Sequence, residues 1–240
     1  VILIHGLDGD PVETWAHTTI DTKPPRRTVW PEILLPKILP RARILSFGYS
    51  GDMYRNKSVA GIRGNAGALL DHLRALRYGV DQTRPIVFVA HCLGGLIVKQ
   101  ASLPSALCFA NADEHHKLIA SATKTIIFFG TPHFGAEKKQ WNHLAQRYSQ
   151  LSGSRGQASL LLAAMIRDSG DLAEISEDFT EVAPKYKIIS FFEMVTWQNT
   201  GELIVDMTSA RLDIHGERVV GVNADHLGIC RFADENNMTF

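Results

Sequence analysis

Short apolar runs alternate along this chain with stretches of helical spacing. Val1–Ile4 opens the sequence as a strand already under way, and Ala42–Phe47 is the second such run, after the Pro-punctuated stretch Trp30–Pro40. Val59, Ile62, Ala66, Leu69, Leu70, Leu73 and Leu76 recur at three and four residues. That spacing predicts an amphipathic helix over Ser58–Arg77. Pro85–Ala90 is apolar throughout, as expected of a central strand buried on both faces. Leu93–Leu103 returns to helix, and Thr125–Phe129 is a strand ended by Gly130-Thr131-Pro132. Tyr186–Phe192 and Arg218–Val222 are the last strands. This alternation predicts an α/β architecture, a mostly parallel sheet with crossover helices on its faces. Glu137–Val182 contains no strand-like run and reads as two or three helices, broken at Ser152–Gly156. It is a helical insert before the penultimate strand, placed to cap the sheet. With no internal repeat and no low-complexity linker, residues 1–240 read as one domain.

Composition narrows the functional classes. The chain is 45% hydrophobic and 21% charged, which is ordinary for a globular domain and excludes a disordered or fibrous chain. Lys+Arg and Asp+Glu both number 25, so there is no basic surplus to neutralise phosphates, and no nucleic acid partner is expected. Cys92, Cys108 and Cys230 are an odd number with no CxxC spacing. They argue against a disulfide framework and for an intracellular, reducing compartment. No apolar run approaches the ~18 residues a membrane span needs, and no signal peptide precedes the first strand. A strand at residue 1 leads us to expect that the sequence is a piece of a longer chain with other domains. There is no H-E-x-x-H, and His115, His116 and His143 lack ligand spacing, so neither metal nor cofactor is expected.

The sharpest chemical signal is Ala90-His91-Cys92-Leu93-Gly94, which follows a buried strand and opens a helix. A nucleophile elbow needs that context, with small residues two before and two after the nucleophile so that strand and helix can pass closely. Cys92 occupies the place where G-x-S-x-G has serine, and the helix N-terminus behind it favours negative charge on the sulfur. His5-Gly6-Leu7-Asp8-Gly9 ends the first strand. Its loop can aim an amide at a developing oxyanion, so the Leu7 and Leu93 N–H groups are the candidate oxyanion hole. Enzymes of this type carry nucleophile, acid and base in that order. His226 follows the last strand and is the candidate base. Glu193, at the end of the penultimate strand, is the favoured acid, with Asp206 in Leu203-Ile204-Val205-Asp206 as the alternative. Asp225 adjoins His226 in sequence and is poorly placed to orient the ring from behind.

These pieces resemble the α/β-hydrolase domains of the SERAC-like group, lipase-like serine esterases related to the GPI inositol-deacylases. Domains of this kind are common at the N-terminus of fungal NLR-like proteins. The resemblance rests on His5–Gly9 with Trp15, Trp30-Pro31, Leu39–Ile44, Phe47-Gly48-Tyr49, His91–Gln100, Phe129–His133, Ser190–Glu193, Ser209-Ala210 and Ala224-Asp225-His226. It covers nearly the whole chain, and Gly-Thr-Pro-His after a strand is a fairly specific tag. It implies an α/β-hydrolase fold and a triad on Cys92, Glu193 and His226. The sequence departs from the group's pattern in having Cys92 for serine, and Phe134-Gly135-Ala136 after the Gly-Thr-Pro-His tag. Cysteine nucleophiles occur on this fold, as in dienelactone hydrolases. The same replacement is also one that would be engineered to trap an acyl group.

The expected activity is therefore hydrolysis of an acyl ester or lipid through an acyl-enzyme. The alternative is a catalytically retired hydrolase-like domain that serves signalling or interaction, and a third reading is acyl transfer. Leu160, Leu161, Leu162 and Met165 give the insert an apolar side, which we expect to pack on the core rather than to line an acyl site.

Overall fold

The computed structural model describes residues 1–51, 61–79, 82–103, 114–133, 169–197, 201–237 and 240. In chain order its elements are β1 (Ile2–Ile4), β2 (Ala16–Thr19), β3 (Arg26–Val29), α1 (Trp30–Ile33), α2 (Leu35–Ile38), β4 (Leu45–Phe47) and α3 (Ile62–Arg77). There follow β5 (Ile86–His91), α4 (Gly94–Ser102), α5 (Glu114–Ala122), β6 (Thr123–Phe129), α6 (Ser169–Val182), β7 (Lys187–Glu193) and β8 (Arg218–Val222). Six strands form one sheet in the order β4-β1-β5-β6-β7-β8, and every neighbouring pair is parallel. All six apolar runs read from the sequence lie in it.

The strand period of two explains the layers. Phe88, Ala90, Ile126, Phe128 and Ile188 point into one core with Ile62, Ala66, Leu69, Leu70 and Leu73, the apolar stripe of α3. The alternate residues Leu3, Val89 and Phe129 point to the other face, where Trp15, Trp30, Leu35, Ile229 and Phe232 cover them. Helix α4 is buried on every side, Lys99 and Gln100 included, because α3, α5 and α6 all pack against it. Because the sheet is parallel, the C-terminal ends of its strands share one edge, where open α/β sheets form their sites.

Some elements carry no hydrophobic signature. The hairpin β2–β3 pairs Ala16 with Val29 and Thr19 with Arg26, and most of its residues are polar. Within Trp30–Pro40, Pro31 and Pro36 each stand in the first turn of a one-turn helix, where the missing N–H costs nothing. Of the helical insert, α6 supplies the described part. Residues 134–168 lie outside the described residues, with Leu160, Leu161, Leu162, Met165 and His143, as does Cys108. No described helix is long and apolar enough to cross a membrane.

Candidate active site

Strand β5 delivers Cys92 to the sheet edge, and the backbone reverses there into α4. Cys92 adopts φ +55°, a left-handed conformation that costs a non-glycine residue roughly 1–2 kcal/mol. The turn is pinned by its own amide, which donates to the Phe129 carbonyl at 2.9 Å, and by the Gly95 amide, which donates to the Cys92 carbonyl at 3.0 Å. Close approach demands the glycine two residues on: a Cβ at Gly94 would lie 2.6 Å from the Ile4 carbonyl oxygen and collide with that of His5.

The loop after β1 lies directly against Cys92, since a Cβ at Gly6 would sit 2.6 Å from the Cys92 Cβ. His5 braces this loop from inside. Its Nδ1–H donates to the Gly6 carbonyl at 2.9 Å, and its Nε2 accepts the Tyr49 amide at 3.4 Å. The Tyr49 ring stacks on the imidazole at 4.3 Å, and its hydroxyl donates to the His5 carbonyl at 2.9 Å. Burial lowers the His5 pKa against the opposing pull of Gly6, Asp10 and Tyr49. The neutral ring is the form this donor–acceptor pair requires. Leu7 and Leu93 are buried beside Cys92, and among the described residues neither amide donates a hydrogen bond.

Glu193, the last residue of β7, and His226, four residues past β8, meet at this edge. Glu193 Oε2 lies 3.3 Å from His226 Nδ1, and both side chains are out of solvent. The other Glu193 oxygen accepts the Val205 amide. Burial opposes charge on His226, but the Cys92 sulfur and the Glu193 carboxylate beside it outweigh that and push the pKa up to about 10. The imidazole thus joins the thiol on one side to the carboxylate on the other. A Cβ on Gly130 would lie 3.0 Å from His226 Cε1, and Gly130 has φ +52°. The glycine of Gly-Thr-Pro-His is therefore the floor on which the imidazole rests.

Asp206 is employed elsewhere. Its carboxylate accepts the Ser209 amide at 2.8 Å and its carbonyl accepts that of Ala210 at 2.9 Å, which closes a local turn. Its neighbour Val205 is the residue that holds Glu193. Asp225 likewise caps the turn after His226 by accepting the Gly228 amide at 2.7 Å. Among the described residues no group of three His, Cys, Asp or Glu side chains is arranged to hold a metal.

Two further buried histidines stand at the edge. His91 Nε2 lies 2.8 Å from the His226 carbonyl oxygen, and the two rings are 4.9 Å apart. His133 packs edge-on against Phe128 at 4.7 Å, and burial with nearby Lys99 pushes its pKa well down. The sequence held a signal for each, His91 as a polar residue at the end of an apolar strand and His133 in the Gly-Thr-Pro-His tag after one, but only topology shows what each faces. Cys230 is buried in the turn Gly228–Cys230 beneath the site, and burial pushes its pKa up to about 12.

A family model described as "Putative serine esterase (DUF676)" matches residues 1–195. The chain belongs to this family. The match includes Leu7, Cys92, Leu93 and Glu193, and ends before His226. Protein SERAC1 of Homo sapiens is 30% identical over 254 residues, 96% of this chain and 36% of its own length. That of Danio rerio is 27% identical over 247 residues, with the same coverage of both chains. The chain thus spans about a third of the length of these relatives. Among solved structures, the Bacillus licheniformis lipase BlEst2 superposes with a TM-score of 0.55 at 15% identity, over 95% of this chain and 85% of its own. Phospholipase PlaB from Legionella pneumophila gives 0.55 at 16% identity, over 88% of this chain and 45% of its own. The fold is that of the α/β hydrolases, the family is described as one of putative serine esterases, and Cys92 stands on the strand–helix turn after β5.

Proposed function

We propose that this domain is a carboxylic ester hydrolase in which Cys92 is the nucleophile, His226 the base and Glu193 the acid. One observation carries the reading: a strained, buried thiol on a strand–helix turn shares an imidazole with a buried carboxylate. The Cys92 sulfur attacks the ester carbonyl carbon while its proton resides on His226. The oxygen that becomes negative is held by the Leu7 and Leu93 amides, the kind of donor whose loss costs ~10²–10³ in kcat in a comparable site. Collapse breaks the C–O bond, and the departing alkoxide takes the proton from the imidazolium. A thioester remains on Cys92. Water then attacks it with His226 as base, which releases the acid and restores the thiol. Glu193 holds the ring in one tautomer and steadies its positive charge. No step calls for a cofactor.

The substrate class is an acyl ester or lipid, a reading supported by the esterase family and by the lipase fold of its structural neighbours. Residues 1–240 act as one domain in this reading, within a longer protein whose further domains the longer relatives suggest. Neither Cys92 nor Cys230 is in a disulfide, which favours a reducing, intracellular setting, in which a thiol nucleophile stays competent. The departure from serine supports a second reading, a retired hydrolase kept for interaction. Intact-mass analysis during incubation with a panel of p-nitrophenyl esters tests both. Released nitrophenol, or an acyl adduct that maps to Cys92, is the expected result. A protein that neither turns over nor acquires an adduct, and does neither after Cys92→Ser, sinks the hydrolase reading and leaves the retired one.

A further inference from the structure

We propose that His91 is a positioning residue for the base: its imidazole N–H holds the backbone of His226 and thereby sets the base against the sulfur of the adjacent residue, Cys92. This rests on the reading of Cys92, His226 and Glu193 as a catalytic triad. The geometry fixes the direction of the bond. A carbonyl oxygen only accepts, so the His91 Nε2, 2.8 Å from the His226 oxygen, carries the proton. His91 is the last residue of β5 and Cys92 follows it. One hydrogen bond and one residue of chain therefore connect the loop that bears the base to the nucleophile.

Glu193 does not supply this constraint. It reaches His226 through Nδ1 and governs rotation and tautomer of the ring. The loop that bears His226 is also held by the Val195 amide, which donates to the Ala224 carbonyl at 3.2 Å, and by Asp225, which caps its turn. The His91 bond ties the backbone of this loop to the strand that ends at the elbow, and its ring packs at 45° against the imidazole it positions. The role requires a donor that stays uncharged beside a protonated His226. Burial first, then the charges of His226, Arg231 and His5, push the His91 pKa down to about 3 against the pull of the His226 carbonyl. The ring therefore stays a neutral donor through the range in which an imidazolium is needed next to it.

The test compares His91→Phe, which keeps a ring and removes the donor, with His91→Gln, whose amide offers an N–H at similar reach. His226→Ala is the reference. The readout is the rate of Cys92 alkylation by iodoacetamide from pH 5 to 10, mapped by mass, with folding checked by circular dichroism. Alkylation needs no ester turnover. His91→Phe is expected to slow Cys92 labelling at pH 7 most of the way to the His226→Ala rate. His91→Gln is expected to recover most of the loss. On any background that turns over an ester, kcat should fall with little change in KM. A His91→Phe protein with the parent profile overturns the proposal. So does a folded His91→Gln protein that falls as far as His226→Ala, whether or not His91→Phe folds. If His226→Ala itself leaves the Cys92 profile unchanged, the triad reading fails and the proposal with it. A His226→Ala effect without a His91→Phe effect defeats the proposal alone.

Discussion

Glu193 divides its carboxylate between two partners: Oε2 faces His226 Nδ1 at 3.3 Å, and Oε1 accepts the amide of Val205. A fully buried carboxylate is expensive unless both oxygens are occupied by donors or positive charge. This division meets that requirement while aiming one oxygen at the His226 imidazole. Asp206, one residue past the amide that holds Glu193, spends its own carboxylate on Ser209.

Glu193→Gln should therefore cost a large factor in kcat/KM for a short-chain p-nitrophenyl ester, on whichever of the Cys92 or Cys92→Ser backgrounds turns over. In a serine protease with a Ser-His-Asp triad, a change of tautomer alone, caused by the amide in place of the acid, costs ~10⁴ in kcat. Asp206→Asn keeps a side-chain acceptor for the Ser209 amide and should cost less than about tenfold. Near-normal activity in Glu193→Gln beside a dead Asp206→Asn would transfer the role of acid to Asp206.

The contrast between these carboxylates also shows what the residues alone disclosed. The six strands, α3 and α4 were legible because a parallel sheet buried on both faces writes continuous apolar runs, and an amphipathic helix writes a 3.6-residue stripe. The sharp strand–helix turn at Cys92 was legible because such a turn needs small neighbours at fixed spacing. The hairpin β2–β3 was not, since Arg26, Arg27 and Thr28 pair through backbone groups that leave no hydrophobic signature. His91 and Tyr49 were invisible as partners for a different reason. Their contacts, to His226 and His5, cross 135 and 44 residues of sequence. Chain order could place Glu193 and Asp206 near the same edge, but only the turn at 205–210 decides which one faces the ring.

Gly130→Ala isolates the floor beneath the His226 imidazole. The new Cβ would press within 3.0 Å of His226 Cε1, at a φ of +52° that alanine dislikes by about 1–2 kcal/mol. The stability loss should stay near that strain. The rate of Cys92 acylation should fall by a larger factor, because the ring is pushed from its place between sulfur and carboxylate. Thermal melts and single-turnover acylation on one preparation separate the effects. A variant that loses stability and acylation in equal free-energy measure would mean that the glycine serves the backbone alone.

Of the two thiols described in the fold, Cys92 should label first under limiting iodoacetamide at neutral pH. Cys230 is buried with its pKa pushed up to about 12, and its S–H faces the Thr14 carbonyl at 3.5 Å. It has no reason to ionise. Cys92 has His226 beside it, and only its labelling should depend on that imidazole. Faster modification of Cys230, or equal loss of both rates in His226→Ala, would remove the imidazole from any role in activating the elbow thiol.

Two buried cations give the fold opposing pH dependences over the same window. His226 has its pKa raised to about 10 in the fold, so from its ordinary 6.5 upward the native state holds a proton that the unfolded chain lacks. Its contribution is full below pH 6.5 and is lost as pH rises toward 10. Lys99 is the reverse case. Burial, only partly offset by Glu217, lowers its pKa to about 7, while its ammonium donates to Ser176 Oγ at 3.1 Å and lies 5.9 Å from the Phe179 ring centre. Its penalty is full below pH 7 and fades as pH rises to 10.5, where the unfolded chain also loses the proton. Each proton difference is worth about 1.4 kcal/mol per pH unit, with opposite signs, so the parent protein should show little net slope from these groups between pH 7 and 10. Lys99→Met should uncover the His226 dependence, with stability falling as pH rises. It should also raise stability at pH 6, because a buried charge gives way to an apolar chain of similar length. His226→Phe should uncover the Lys99 dependence, with stability rising over the same interval. Urea denaturation at pH 6, 7, 8 and 9 measures all three proteins. Parallel curves for parent and Lys99→Met would show that the lysine keeps an ordinary affinity for its proton in the fold, and that its burial carries no electrostatic cost.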